Sequence, residues 1–185
     1  MMPPKPIDIW QEFHWAFFLD TQGLILCMKR LGLMLDRHNI NGARVELDAA
    51  AQIMTASGAA MALAGSFTRE SYETQIRETM MPPHVASEGF SGLMSWEHGI
   101  LVNIWRGLRP KFAGLPAELR PAHDRFVAAY KTMADGHVNV CSRFVGESAH
   151  SLRYDDRDAV QSLRRFGDAR RRLIAPEDRE KGAHP

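Results

Sequence analysis

A histidine lies on what the sequence predicts to be the apolar face of a long helix. Counted from His137, the residues Met133, Val140, Cys141 and Phe144 stand at −4, +3, +4 and +7, positions that share one helix face. A helix that only packs has no need of an imidazole there, whereas a neutral imidazole nitrogen is a metal ligand that an apolar pocket accepts. The spacing leaves two interpretations: His137 is a metal ligand, or it is a buried core histidine.

Other patterns that could carry chemistry are weaker. Glu147 and His150 have the spacing of one half of a di-iron site, but the chain offers no second pair with that spacing. Sequences typical of nucleotide-binding loops, zinc proteases and serine hydrolases do not occur. The arginines from Arg164 onward alternate with aspartates, which is typical of a solvated helix face and disfavours a nucleic-acid surface.

The composition is that of a folded soluble domain of 185 residues, with 45% hydrophobic and 24% charged residues. The formal net charge of +1 provides no field that would attract nucleic acid or an anionic membrane. The longest apolar region, residues 13–35, is interrupted by charged side chains and is too polar to span a membrane. Cys27 and Cys141 do not make a disulfide framework, so we expect a reducing, cytoplasmic location.

The chain is predicted to be all-α, because no segment alternates in hydrophobicity as a strand would. Met81-Pro82-Pro83 is expected to end one helix and Arg109-Pro110 another, since the residue before a proline disfavours the helical conformation. The alanine-rich helix predicted at about 43–63 is expected to pack close to its neighbours. The predicted helices cover about 9–36, 43–63, 68–80, 93–108 and 117–151, with a solvated helix at 158–174.

Several segments in order resemble the tryptophan 2,3-dioxygenase family. The segment from His137 to Gly146 resembles the helix that carries the heme-ligating histidine of that family. The segment from Phe17 to Lys29 is similar to the family's first core helix, and Tyr72, Ile76-Arg77 and Gly89-Phe90-Ser91 follow in the family's order. Between residues 13 and 146 the chain thus resembles a distant member of the histidine-ligated, heme-dependent aromatic oxygenases.

This resemblance implies a helical bundle like the tryptophan and indoleamine dioxygenase fold. Residues 7–153 would form a heme-binding domain, followed by a charged helix and tail at 154–185. His137 would ligate the iron of heme b, and Phe17, Phe90 and Arg143 would help to bind the cofactor. The implied activity is oxygenation of an indole- or phenol-type small molecule with dioxygen or peroxide.

The sequence departs from that family at two positions with consequences for chemistry. Thr21 stands where the family has a distal histidine, so the resemblance implies a weak hydroxyl donor and no base there. Trp96 stands where the family has the arginine that binds the substrate carboxylate. Both residues are therefore candidate catalytic residues, and we expect a ring without an amino-acid head group to be tolerated, indole before phenol.

The spacing of His137 and Cys141 adds a further resemblance, to bacterial tyrosine hydroxylases in which such a cysteine bonds to the heme edge. One helical turn places the thiol about 6 Å along the axis from the ligating residue. The resemblance therefore implies covalent attachment through Cys141. The other interpretation is that Cys141 packs as a small hydrophobic residue.

Two alternatives to an oxygenase stay open at this point. One is a heme-binding or sensor protein of the same fold without catalysis, and the other is a small helical interaction protein without a cofactor. The apolar N-terminal segment predicts a homodimer or higher homo-oligomer, unless Trp10 packs on its own chain. That segment contains Ile7, Ile9, Trp10, Phe13 and Trp15.

Overall fold

The computed structural model describes residues 4–85, 95–145, 150–151 and 154–176, so Phe90 and the other residues of 86–94 lie outside the described part. The predicted all-helical class is confirmed. Within the described ranges, no helix is long and apolar enough to cross a membrane. The helices are α1 (Pro6–Asp36), α2 (Ile40–Ala64), α3 (Arg69–Ser71), α4 (Trp96–Ala113), α5 (Arg120–Val145) and α6 (Ala159–Ile174).

The helix starts follow from local chemistry. Proline at the start of α1 costs no hydrogen bond, because the first N–H groups of a helix have no intrahelical acceptor. The Asn39 side chain caps α2 by accepting from the Gly42 N–H at 2.9 Å. Ser95 caps α4, and its hydroxyl oxygen accepts from the His98 N–H at 3.2 Å. The Ser95 cap therefore fixes the helical turn that carries His98.

The bundle is centred on α2, which packs against both α1 and α5, while α4 packs on α1 and α6 packs on α5 and α4. The alanine-rich α2 comes close to α5, as expected: a Cβ on Gly58 would lie 3.7 Å from the Met133 Cα. Small side chains on α2 allow this approach. The fully buried side chains of the main core include Met28, Leu31, Leu47, Met54, Trp105 and Phe126.

A second aromatic cluster joins the N-terminal segment to the end of α5. The Phe144 ring lies between those of Phe67 and Tyr72, with centroids 5.0 and 4.7 Å away. Trp10 makes edge contacts with Phe67 and Tyr72 at 6.3 and 6.1 Å, and Ile7 packs against the same cluster. Trp10 therefore packs on its own chain, and the apolar N-terminus no longer argues for an oligomer.

The helix predicted at 68–80 is present with Thr68 as its cap, but its type changes along the chain, so a uniform helix is wrong. After α3 the chain forms a π-helical stretch, Tyr72–Ile76, and then a 3-10 turn, Arg77–Met80. Both Tyr72 and Ile76 are buried. The wider π turn brings these two side chains, four residues apart, into the aromatic cluster while the polar residues between them face solvent.

The predicted stop at Pro110 is also wrong, since α4 continues through this proline to Ala113. Proline removes one hydrogen bond from the helix interior, but tertiary contacts hold the last turn. The Phe112 side chain is 2% exposed, and the Lys111 Nζ donates to the Gly32 carbonyl of α1 at 3.2 Å. These contacts, which the local sequence does not reveal, outweigh the lost bond.

The region after α5 differs from the prediction in two ways. Residues predicted to continue the helix form a strand, β1 (His150–Ser151), which pairs antiparallel with β2 (Tyr154–Asp158). Strands this short show no readable alternation. Helix α6 is not solvated all round, because Val160 and Ile174 are buried and the Ile174 carbonyl lies 2.6 Å from the His123 Nε2 of α5. The predicted boundary at residue 154, between a heme-binding domain and a charged helix and tail, stays a prediction.

Candidate functional site

The predicted apolar face of α5 is confirmed, and His137 lies on it. Burial lowers the pKa of His137 to about 4, with the nearby positive charge of Arg170 as a second cause, so the imidazole is neutral at pH 7. Phe144, two turns further, is 3% exposed. Burial also raises the pKa of the Cys141 thiol to about 11. The face therefore presents a neutral imidazole and a protonated thiol one turn apart.

A second histidine, on α4, lies close to His137. Burial lowers the pKa of His98 to about 4, and Arg170 and His137 contribute to the shift. The His98 Nε2 is enclosed and has no hydrogen-bond partner among the residues that the structure describes. Buried polar atoms without a partner are rare in folded proteins and call for an explanation. The two imidazoles are therefore neutral at pH 7 and close enough for His137 to lower the pKa of His98.

Arg170 of α6 also lies near the two histidines, because its positive charge contributes to lowering the pKa of both. The Arg170 Nε is enclosed and lacks a partner within the described ranges, as does the Trp105 indole nitrogen of α4. Tyr130 of α5 ties the helices together here, because its hydroxyl donates to the Gly167 carbonyl of α6 at 3.1 Å. Burial raises the pKa of Tyr130 to about 12, so this hydroxyl stays protonated.

The other predicted site residues lie further along the bundle. Thr21 is buried on α1, where its hydroxyl donates to the Phe17 carbonyl of its own helix at 2.8 Å. Phe17 is half-buried and packs, with Val140 of α5, around the small cluster of Phe13 and Met61. The Thr21 donor is therefore used within α1, and Phe17 faces the side of α5 that carries Val140.

Arg143 and Trp96 lie at the surface. Arg143 donates to the Gly65 carbonyl at 2.7 Å, which holds the end of α5 to the end of α2. Trp96 is 80% exposed and lies two residues before His98 at the start of α4. The structure thus brings together His137 and Cys141, and it places Thr21, Arg143 and Trp96 at other positions.

The sequence reading missed His98 and Arg170, although a signal was present for both. His98 precedes Leu101, Trp105 and Leu108 at the spacing of one helix face, the same pattern that singled out His137. Arg170 likewise lies between Gly167 and Ile174 on the face of α6 that contains Leu163. In both cases a polar side chain interrupts an apolar helix face, and neighbouring charged residues make that face harder to recognise in the sequence.

Two cavities of the described part lie along α5, and neither His98 nor His137 lines either of them. One, of about 360 Å³, lies between α2 and α5 around Gly58 and Met133. The other, of about 520 Å³, lies between α5 and α6 and is lined by residues that include Tyr130, Ala134, Val138, Leu163, Gly167 and Arg171.

The described residues contain no group of three or more histidine, cysteine or carboxylate side chains that could hold a metal ion alone. Two imidazoles suit a metal whose remaining ligands come from a prosthetic group.

Comparison with known proteins identifies relatives. A sequence model described as SfmD 3-methyl-L-tyrosine peroxygenase matches residues 2–122, which include His98. A 3-methyl-L-tyrosine peroxygenase from Streptomyces lavendulae is 34% identical over 143 residues, covering 77% of this chain and 39% of the relative. Because 143 of 185 residues are matched, the matched stretch contains both His137 and Cys141 wherever it begins.

The chain spans about two fifths of the length of this curated relative. No solved structure matches the chain, so the likeness to the tryptophan dioxygenase fold stays a prediction. The match to the family model covers more than half of the chain. This chain therefore belongs to the family of 3-methyl-L-tyrosine peroxygenases.

Proposed function

We propose that this chain is a heme-dependent peroxygenase of a phenol-type aromatic compound, with His137 and His98 as the imidazoles that ligate the heme iron. The observation that carries the proposal is the buried pair of neutral histidines, of which the His98 Nε2 has no partner among the described residues. The family supplies the reaction class. The histidine pair supplies the place at which a metal cofactor would be held.

The residues present fit a heme group on three counts. The pKa values near 4 leave the lone pairs of His98 and His137 free at neutral pH, as ligation requires. An orphaned buried nitrogen costs free energy that a bond to iron would recover. Trp105 provides buried aromatic surface on the helix that carries His98, which suits a flat macrocycle.

When bound, the heme would supply the chemistry that activates peroxide, for which one of the two imidazoles would have to leave the iron. The residues of this chain have other tasks. Burial keeps His98 and His137 unprotonated, so neither competes for ligation with a proton. The packing of α6 on α4 and α5 excludes water from the histidine pair. The Tyr130 hydroxyl holds α6 in place through its bond to Gly167.

The substrate class follows from the relative. Its name identifies an amino acid with a methylated phenol ring as the compound on which it acts. We therefore place a phenol before an indole for this chain, in contrast to the order implied by the dioxygenase resemblance. Peroxide is the proposed oxidant, and dioxygen is the alternative that isotope labelling separates.

Covalent attachment through Cys141 is part of the proposal. The Cys141 thiol would add across a porphyrin vinyl double bond: a C–S bond forms, the thiol hydrogen moves to the other vinyl carbon, and no electrons are gained or lost. Because the pKa of Cys141 is about 11, the residue holds this hydrogen at neutral pH. Its position one turn from His137 places it within reach of the edge of a ligated heme.

Turnover by the purified, heme-loaded chain tests the proposal. With 3-methyl-L-tyrosine and hydrogen peroxide we expect a product heavier by one oxygen atom, and labelled peroxide should transfer its label where labelled dioxygen does not. The His137→Ala variant should lose the Soret band and the activity.

His38→Asn is the matched control, because His38 is exposed and its backbone φ of 53° is one that asparagine tolerates. Full activity of His137→Ala would overturn the proposal. Heme binding without turnover would favour the sensor alternative.

We also propose that the chain forms a homodimer through α1. Leu19, Leu26 and Leu33 repeat every seven residues along α1 and are 69%, 61% and 51% exposed, and Trp15 on the same face is 68% exposed. A leucine repeat of this period is typical of a helix that pairs with a second helix. Because the same repeat is present on every copy, a second α1 is its natural partner.

A further inference from the structure

The Arg170 guanidinium is partly buried beside the histidine pair and has no counter-ion among the described residues. Arg170 projects from α6 into the region between α4 and α5, and its Nε is enclosed without a hydrogen-bond partner in the described part of the chain. The indole N–H of Trp105 is likewise enclosed and unpaired among the described residues. Two hydrogen-bond donors from facing helices thus lack acceptors in one buried region.

The groups that face Arg170 do not neutralise it. The guanidinium lies over the Phe166 ring, with its Cζ 5.1 Å from the ring centroid. Its other electrostatic neighbours are the Tyr130 hydroxyl, which is protonated, and Arg106, which adds a second positive charge. His98 and His137 also lie within its field, and both are neutral at pH 7. No ion pair joins Arg170 to a carboxylate in the ranges that the structure describes.

An enclosed N–H group without an acceptor costs free energy, and arginine keeps its charge at any physiological pH. The cost falls when an anion that accepts hydrogen bonds occupies the site. A guanidinium binds a carboxylate by parallel N–H···O bonds, and such charge-assisted bonds are stronger than neutral ones. The missing partner therefore has the chemistry of a carboxylate.

We infer that Arg170, together with the indole N–H of Trp105, binds a carboxylate of a ligand that occupies the space beside His98 and His137. The inference deepens the proposed function and rests on it for the identity of the ligand. Two carboxylates meet the requirement: a propionate of the heme, or the amino-acid carboxylate of the substrate. Arg106, whose side chain donates to Asn103 at 2.8 Å on the surface of α4, adds positive potential from outside.

This assignment provides a binding partner for the carboxylate of an amino-acid substrate. Trp96 offers no charge to a carboxylate, and it lies exposed at the start of α4. Arg170 lies on a helix that follows the part matched by the family model, so sequence comparison over residues 2–122 does not reach it. A carboxylate-binding arginine is thus present, but on a different element from the one implied by the dioxygenase resemblance.

The first arm of the test measures cofactor binding. Apo-protein is titrated with mesoheme, whose ethyl groups form no thioether, and with mesoheme dimethyl ester, whose propionates are blocked. If a propionate is the partner, wild type should bind the acid about ten- to hundredfold more tightly than the ester. Arg170→Gln should remove most of this preference, and Trp105→Phe should remove a smaller part.

The second arm measures substrate binding by the heme-loaded protein, followed by the spectral change of the ferric heme. If the substrate is the partner, 3-methyl-L-tyrosine should bind about ten- to hundredfold more tightly than the amine that lacks its carboxylate. Arg170→Gln should again abolish the preference, whereas Arg170→Lys should keep part of it.

Arg172→Gln is the matched control, because Arg172 is an exposed arginine on the same helix. Circular dichroism and the urea midpoint establish that each variant is folded. The inference is overturned if Arg170→Gln retains both carboxylate preferences of the wild type. A chain that binds no heme defeats the proposed function instead, and calorimetric titration of the cofactor-free protein with 3-methyl-L-tyrosine then decides the role of Arg170 alone.

Discussion

Burial acts differently on the three kinds of ionisable side chain that meet between α4, α5 and α6. It makes His98 and His137 neutral, which prepares them to donate a lone pair. It keeps the Cys141 thiol protonated. Arg170 also has a lowered pKa because of burial, but a guanidinium does not lose its charge. The same physical effect therefore leaves two neutral imidazoles and a guanidinium whose enclosed Nε has no partner among the described residues.

Removing the Cys141 thiol should change how the heme is held and leave its ligation intact. We expect heme to resist extraction by acidified organic solvent from the wild type and to be extracted completely from Cys141→Ala. The Soret band of the native variant should persist, because His137 is retained. Cys27→Ala is the matched control, since Cys27 is a buried cysteine on α1. Extractable heme in the wild type would show that Cys141 only packs.

Acid should destabilise the cofactor-free protein through its buried histidines. The unfolded chain takes up protons near the ordinary histidine pKa of 6.5, whereas His98 and His137 in the folded chain resist protonation down to about pH 4. The unfolded state therefore binds more protons in this window, and the free energy of unfolding falls as the pH is lowered from 6.5 to about 4.

We expect a lower urea midpoint at pH 4.5 than at pH 7, and a smaller difference in His137→Gln. His38→Asn, at an exposed position, should show the full difference. Equal pH dependence in the wild type and His137→Gln would contradict the burial of His137.

At the scale of helices, the position of the site depends on how closely α2 and α5 approach. A Cβ on Gly65, at the end of α2, would lie 2.7 Å from the Val140 Cγ2. The Arg143 side chain, which like Val140 belongs to α5, donates a hydrogen bond to the Gly65 carbonyl. Glycine at this position therefore lets α5 come near enough for Phe144 to enter the aromatic cluster.

Gly65→Ala should destabilise the fold by about 1–3 kcal/mol, because the added methyl group overlaps a β-branched side chain. The backbone φ of −88° at Gly65 is acceptable to alanine, so the loss would come from this contact. In a double-mutant cycle, the variant that combines Gly65→Ala with Val140→Ala should lose less free energy of unfolding than the two single variants lose together.

Urea denaturation measures each of these variants. Gly107→Ala is the control, because a Cβ there meets nothing within 4 Å, and it should be neutral or stabilising. Strict additivity in the cycle would rule out the contact between residues 65 and 140.

The long helices and the His137 face were predictable, because apolar residues at helical spacing and capping residues such as Asn39 are local signals. Continuation of α4 through Pro110 was not, since it depends on contacts of Phe112 and Lys111 with other parts of the fold. The proximity of His98 and His137 also depends on tertiary packing. Each residue carries a periodic signal, but only the packing of α4 on α6 and α5 shows that they share one place.

At the scale of the whole molecule, the exposed face of α1 predicts self-association. Light scattering should give the mass of a dimer at micromolar concentration, and Leu26→Glu should shift it to that of a monomer by placing charge in the apolar seam. Leu63→Glu, at a position 57% exposed on α2, should remain dimeric. A monomeric wild type would refute the homodimer and leave the face of α1 for a different protein.

The tryptophans of this molecule differ in exposure, so its intrinsic fluorescence reports on the candidate site. Trp105 is 1% exposed among apolar groups, whereas Trp15 and Trp96 are 68% and 80% exposed, so their emission should fall at shorter and longer wavelengths respectively. Iodide in solution should quench the long-wavelength part alone. A chromophore that absorbs in the violet and enters beside His98 should quench the short-wavelength part first, through energy transfer from the nearby indole of Trp105. Occupation of the space between α4, α5 and α6 is therefore readable in unlabelled protein as a red shift of its fluorescence.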